Sequence, residues 1–409
     1  MAQIGFDYEV PSHLKGEFTF RIAGVLPPQG LLFGFHTVQK VGERAAQLGA
    51  RLALIVTDAT MVNFGYVDLV KKSLEREGIA AEVFGKVEPE PHLQTAETLV
   101  KIIRGAPFDL VIGLGGGSCM DVAKVTSLVA MNDLTPRELV TRKKEPTKAG
   151  LKKILIPTTA GTGSEASRAM VLAEGKEKYA YGSPYGFPEV AIVDPGLTLT
   201  MPPKLTAISG IDALSHAVDC FMNRVVNPLA ESIALGAIEL IGKYLRRATF
   251  NGSDAEARFH MSMAATMGML SVGQKGSALY SHAMAYVLAI YQPMPHGVAC
   301  GLSMPYTMAY NLPMIENKLA MIARALGEKI EGLSSREAGR RAAERVLELM
   351  ADLKLPLTSK ELGISEKDLP KMAEICIRQY RREDNPRPVE LEDCLAIFQA
   401  MWKGSIEGL

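Results

Sequence analysis

The sequence has little of several things that mark particular protein classes. It carries 45 basic and 45 acidic residues among 409, so the formal charge is zero and no global field recruits nucleic acid or an anionic lipid surface. Its five cysteines, Cys119, Cys220, Cys300, Cys376 and Cys394, are scattered without C-x-x-C spacing. An odd number spread thinly argues against a disulfide framework or a thiolate zinc site, and the cysteines read as reduced core residues. The first residues, "MAQIGFDYEVPSHLKG", lack the basic start and apolar stretch of an export signal, so the expected compartment is the cytoplasm. Charge is missing altogether from residues 276–315, 40 positions without Asp, Glu, Lys or Arg. By length alone this run reaches membrane-helix size. His282, Gln292, Pro293, Pro295, His296 and Pro305 break it, and it reads as two buried segments joined by an irregular "QPMPHG" turn.

What is present is a long, mixed, globular sequence, 47% hydrophobic and 22% charged. Its length points to more than one core, and two domains are expected. In the first half, branched-aliphatic runs at residues 50–58, 108–117, 152–161 and 188–195 end in Gly, Pro or Asp and alternate with segments of helical spacing such as "YVDLVKKSLEREG" and "LQTAETLVKIIRG". Strand and helix in alternation predict a parallel α/β sheet. After "TLTMPPKL" the composition turns to Ala, Leu, Met and Glu in long periodic segments, and an all-helical second half follows, with domains at 1–200 and 201–409. A cleft between the two is the expected ligand site.

Two loops of the first half suit a nucleotide. In "DLVIGLGGGSCMDVAK" a strand runs into Gly115, Gly116 and Gly117, and a helix opens at Ser118. Missing Cβ atoms and free helix N–H groups let a diphosphate approach the backbone; the alternative is a tight turn in which Ser118 and Asp121 form a capping box. The wording is not G-x-G-x-x-G, so the ordinary Rossmann fingerprint does not apply. "PTTAGTGSE" also follows a strand and offers Thr158, Thr159, Thr162 and Ser164 beside two glycines, or it is merely a solvated loop. Asp58 closes an earlier strand, where a carboxylate either accepts from ribose hydroxyls and repels a 2′-phosphate or caps the next helix. Lys178 is grouped with the same nucleotide contacts.

A metal site is the second expectation. Asp212 and His216 stand four apart on one helical face in "SGIDALSHAVD", although Ser209 and Asp212 also have capping-box spacing. His282 and His296 lie in the uncharged run, where a buried imidazole needs a partner. Three imidazoles and one carboxylate suit Fe²⁺ or Zn²⁺ better than Mg²⁺ or Ca²⁺.

"GGGSCMDVAK", "PTTAGTGSE", "VDPGLTLTMPP", "GIDALSHAVD", "PHGVACGLSMPYTMAYN" and "NPRPVELED" stand in an order that resembles the group III, iron-dependent alcohol dehydrogenases, which include lactaldehyde reductases and butanol dehydrogenases. The likeness runs from about Leu32 to Trp402. It implies an α/β dinucleotide-binding domain with a parallel sheet and an all-α metal-binding domain, the fold shared with dehydroquinate synthase. It implies Asp212, His216, His282 and His296 as ligands of Fe²⁺, with Zn²⁺ as the alternative. It also implies Gly115 to Ser118, Asp121 and the Thr158 to Ser164 loop as the NAD(H) site, NADP(H) being second choice. The implied activity is hydride transfer between nicotinamide and a small primary alcohol or aldehyde, in a cytoplasmic homodimer without nucleic-acid or membrane partners. A related dehydrogenase of a semialdehyde or polyol, a metal-dependent lyase and a catalytically silent NAD-binding assembly protein are the alternatives. The sequence departs from the family at Tyr286, one turn after His282, where many relatives carry histidine. Tyr286 is grouped with Asp212, His216, His282 and His296 as catalytic: its hydroxyl can hold a hydrogen bond there, but tyrosine is a weak base near neutrality, so an imidazole proton relay is not expected. Arg168 either faces an anionic group or is a structural arginine, and the first 31 residues lie beyond the shared region.

Overall fold

The computed structural model describes residues 18–20 as backbone, then 30–175, 177–275 and 278–409. Most of the N-terminal extension, and Gly276 and Ser277 at the head of the uncharged run, lie outside the described residues. The chain divides into two compact units, Met1–Thr200 and Met201–Leu409.

The first unit holds a seven-stranded sheet. Its strands are β1 (Phe18–Phe20), β2 (Gly30–Phe33), β3 (Leu52–Val56), β4 (Ala80–Phe84), β5 (Leu110–Gly115), β6 (Lys152–Pro157) and, after a hairpin of β7 (Ala169–Glu174) and β8 (Glu177–Gly182), β9 (Val190–Val193). The spatial order is β1-β2-β9-β6-β5-β3-β4, with only β1 antiparallel to its neighbour. Helices α1 (Val41–Gln47), α2 (Ala59–Asn63), α3 (Tyr66–Arg76), α4 (Leu93–Arg104), α5 (Gly117–Ala130) and α6 (Pro136–Val140) complete it. Side chains alternate across the pleat, and here both faces are covered. Leu54, Val56, Val111 and Leu155 pack with Leu99, Val122 and Ala123 on one side. Ala53, Ile55, Ile112 and Ile154 pack with Val41, Val70 and Leu74 on the other. Each such aliphatic side chain taken from water contributes about 1.5–3 kcal/mol before chain entropy is charged against it.

The order has a functional consequence. From β3 the chain goes outward to β4, then returns to lay β5 on the other side of β3. The direction of winding reverses between β3 and β5, and the carboxyl ends of strands at such a reversal leave a crevice. Asp58 follows β3, the three glycines end β5, and the threonine loop follows β6, which pairs with β5 up to Gly115 opposite Pro157.

The second unit is all helical: α7 (Pro203–Met222), α8 (Pro228–Phe250), α9 (Ala255–Lys275), α10 (Tyr280–Tyr291), α11 (His296–Ala325), α12 (Ser335–Asp352), α13 (Leu369–Tyr380) and α14 (Leu391–Lys403). Every residue of α7 from Thr206 to Met222 is buried. A helix surrounded on all sides loses its polar stripe, and α8, α9, α10 and α11 supply the walls. The uncharged run forms α10 and the first two thirds of α11, separated by Gln292 to Pro295. Pro305 and Pro313 lie inside α11, and the helix breaks its regular geometry at Ile315. No helix among the described residues is long and apolar enough to cross a membrane.

Candidate metal centre and nucleotide loops

In the first unit the loops offer backbone while their side chains hold one another. Gly115 has φ 147°, a left-handed value that favours glycine, and a Cβ there would lie 2.6 Å from the Cys119 sulfur. Helix α5 begins at Gly117 behind Gly116, which gives no side-chain cap, so the first N–H groups are not covered by Ser118. The capping-box alternative for Ser118 and Asp121 is therefore not what forms. Asp121 instead accepts from Ser164 Oγ at 2.6 Å and Val171 N at 3.0 Å and pairs with Lys124 at 3.6 Å. Lys124, wholly buried, also donates to Ser164 Oγ and the Ala169 carbonyl, both at 2.7 Å. Burial pushes its pKa down to about 8 against the pull of Asp121 and Glu165. Burial likewise raises Asp121, with Lys124 and Ser164 opposing. This buried pair bolts the threonine loop to α5.

The two loops meet closely. A Cβ on Gly117 would come within 2.9 Å of Thr162, and one on Gly116 within 3.7 Å of Thr159. Asp58 caps α2, its Oδ1 accepting from Thr60 N at 2.7 Å and Met61 N at 3.1 Å. Its Oδ2 faces Cys119 Sγ at 3.5 Å, beside Gly115. Two other sequence candidates have occupations within the unit: Lys178 is paired with Glu90 at 2.7 Å, and Arg168 lies along Gly182 of the hairpin.

In the second unit three helices bring six side chains together, each helix giving a pair one turn apart. Asp212 and His216 come from the middle of α7, nine residues and more past its start at Pro203, so the capping role for Ser209 and Asp212 is excluded. His282 and Tyr286 come from α10, and His296 opens α11 with Cys300 following. Ligand atoms of Asp212, His282, His296 and Cys300 all lie within 4.8 Å of one another. The His216 ring is 4.7 Å from that of His282, which is 5.5 Å from that of His296. Tyr286 stacks on His296 at 5.5 Å and on Tyr380 at 5.3 Å. Close approach of two helices permits this: a Cβ on Gly297 would meet the Ile208 carbonyl at 2.3 Å and Asp212 Cβ at 3.0 Å.

The donor set fits a divalent cation. Asp212 Oδ1, His216 Nδ1 and His282 Nε2 are buried and carry no hydrogen bond. Buried polar atoms left unpaired cost about 1–3 kcal/mol each, which a bound ion removes. Burial pushes His216 down to about 4, keeping its lone pair. Burial also acts to lower His282, yet Cys300 and Asp219 outweigh it and carry His282 well above the ordinary histidine range. Asp219, which the sequence reading did not single out, holds His282 Nδ1 at 2.8 Å and also accepts from Leu279 N and Ser281 Oγ, both at 2.7 Å. That leaves Nε2 turned to the ligand role. Cys300 was also missed; its signal is the spacing of four from His296. Asp219 shows one too, seven residues after Asp212 on the same buried face.

Comparison with known proteins assigns the class. The solved structure of a 1,3-propanediol oxidoreductase matches with a TM-score of 0.87 at 33% identity, covering 91% of this chain and 97% of that one. A sulfoacetaldehyde reductase from Bifidobacterium kashiwanohense, solved with NAD⁺, matches with a TM-score of 0.83 at 28% identity over 94% and 99% of the two chains. An oxidoreductase with an α/β first half and a helical second half is thereby defined. The long-chain-alcohol dehydrogenase 1 of Geobacillus thermodenitrificans is 37% identical over 385 residues, 93% of this chain and 97% of that protein. Residues 28–195 match the iron-containing alcohol dehydrogenases and residues 206–402 the C-terminal part of the Fe-containing alcohol dehydrogenase family. The chain belongs to the iron-containing alcohol dehydrogenase family, oxidoreductases acting on the CH–OH group.

Proposed function

We propose that the protein is a metal-dependent, NAD(H)-linked alcohol dehydrogenase or aldehyde reductase acting on a small primary alcohol or aldehyde, with residues 1–200 as the nucleotide-binding domain and 201–409 as the metal-binding, catalytic domain. The observation that carries this is the convergence of ligand atoms of Asp212, His282 and His296 within 4.8 Å, with Asp212 Oδ1 and His282 Nε2 buried and without hydrogen bonds; His216, outside that cluster, stands one turn from Asp212 with its ring 4.7 Å from that of His282. Asp212, His216, His282 and His296 would hold Fe²⁺, with Zn²⁺ as the alternative. When bound, the metal supplies Lewis acidity to the substrate oxygen, and the nicotinamide supplies or accepts the hydride.

The chain's own residues do the rest. Asp219 fixes the His282 ring, so the metal-facing nitrogen needs no reorientation. Tyr286, stacked on His296, walls the site; burial raises its phenol, so it keeps its proton at neutral pH and donates rather than accepts. In the first unit, backbone N–H groups from Gly115 to Ser118 and from the Thr158, Thr159 and Thr162 loop receive the diphosphate, while Asp121 and Ser164 brace that loop from beneath. The second oxygen of Asp58, beside Gly115, takes the adenosine ribose and favours NAD over NADP. The protein works as a cytoplasmic homodimer.

The test is an aldehyde panel scored with NADH and with NADPH on protein of measured metal content. Turnover with NADH that follows metal occupancy supports the reading; full activity in metal-free protein ends it. NADH binding without turnover on any substrate marks the silent assembly protein instead.

A further inference from the structure

Cys300 sits among the four ligand residues and is neither part of the carboxylate–imidazole set nor explained by core packing alone. It is fully buried, and its sulfur lies 3.4 Å from His296 Nε2. Donors about 2.3 Å (sulfur) and about 2.0 Å (nitrogen) from one shared ion, at the angles of roughly 90–120° found between neighbouring donors, stand about 3.0–3.7 Å apart, so the spacing suits a fifth donor on an ion that keeps a further position open. Its partners in the cluster include two atoms buried without hydrogen bonds, Asp212 Oδ1 and His282 Nε2. Cys300 follows His296 by one turn of α11, whose approach to α7 is locked by Gly297. We propose that Cys300 is a metal ligand and that its sulfur makes the centre select a thiophilic divalent ion, Zn²⁺ or Co²⁺, over Fe²⁺. The proposal rests on the metal reading of the same site and adds to it a ligand and a preference. Carboxylate and imidazole accept Fe²⁺ readily, whereas a thiolate shifts affinity toward softer ions. On binding, the thiol gives its proton to solvent and the sulfur lone pair goes to the metal, with no change of oxidation state.

The experiment uses full-length protein stripped of metal and reloaded with Co²⁺, alongside Cys300→Ser and Cys300→Ala, each checked by far-ultraviolet circular dichroism. In the wild type a sulfur-to-cobalt charge-transfer band is expected in the near ultraviolet at one Co²⁺ per chain. It should vanish in both variants while cobalt still binds. In anaerobic competition between equal Zn²⁺ and Fe²⁺, the bound Zn:Fe ratio should fall by about tenfold or more in the variants. A wild-type cobalt protein of full metal content without the band, or a band that survives in both variants, overturns the Cys300 assignment and leaves the metal reading standing. Failure of the wild type to hold any divalent ion overturns both. A serine variant that keeps the band's loss with native circular dichroism rules out misfolding as its cause.

Discussion

The two units handle their polar side chains in opposite ways. In the first, Asp121, Lys124 and Ser164 satisfy one another, and what remains for a ligand is backbone: the start of α5 without a side-chain cap and the glycines of two loops. In the second, the backbone is consumed by helices, and what remains is side-chain atoms without partners. A backbone site is sensitive to added bulk, because a new Cβ fills it. A side-chain site is vulnerable to removal, because each ligand atom is irreplaceable. The comparison predicts which substitutions injure which function, and that the injuries separate.

The largest effect is expected from His282→Ala or His296→Ala. Turnover should fall by about a thousandfold, the worth of several kcal/mol of lost electrostatic stabilisation, and bound metal should be lost. Fluorescence titration should give an unchanged Kd for NADH. A parallel collapse of nucleotide binding would break the contrast between the units. Next comes Gly117→Val, which drives a branched side chain into Thr162, already 2.9 Å from a bare Cβ. Overpacking of about 1–3 kcal/mol should raise the Kd for NADH by roughly tenfold to a hundredfold while metal content stays at the wild-type level. Metal analysis beside the titration checks it.

A smaller and sharper effect is expected at Asp58. Asparagine keeps the cap on α2 but removes the charge, so Asp58→Asn should hold the melting temperature and shift the NADH:NADPH preference toward NADPH by about 1 kcal/mol. Asp58→Gly should shift preference similarly and lose some stability as well. An unchanged preference ratio in both moves ribose recognition elsewhere. The smallest effect falls on Tyr286→His. With an imidazole in place of a phenol whose pKa burial raises, oxidation near neutral pH should gain a few-fold over reduction and its rise toward alkaline pH should flatten. Identical pH–rate profiles would make residue 286 pocket wall only.

Much of this was legible in the sequence where one element carried one signal. The runs that became β3, β5, β6 and β9 are apolar because both faces of those strands are covered. Strand β4, "AAEVF", was not singled out: it lies at the sheet edge with Glu82 among largely exposed positions, and edge strands need little hydrophobicity. The β7–β8 hairpin was missed for a similar reason, since in "EKYAYG" Glu177, Ala180 and Gly182 are exposed and only Tyr181 is buried. In the second unit, Asp212 and His216 at helical spacing admitted two readings, and only the helix start at Pro203 separates them. Cys300 and Asp219 were hidden because their roles depend on which helix faces which. The spacing of four from His296 is a signal that gains meaning only once α11 is set against α7.

Asp219 closes a loop of cause that runs in time as well as in space. Its one carboxylate oxygen holds the Leu279 amide at the mouth of α10 and the His282 ring three residues on. The first turn of α10 therefore cannot fray without releasing the imidazole, and an imidazole pinned by an ion cannot let that turn fray. The Leu279 amide becomes a clock for occupancy: its hydrogen should exchange with solvent deuterium more slowly in loaded protein than in stripped protein, and Asp219→Asn should narrow that gap.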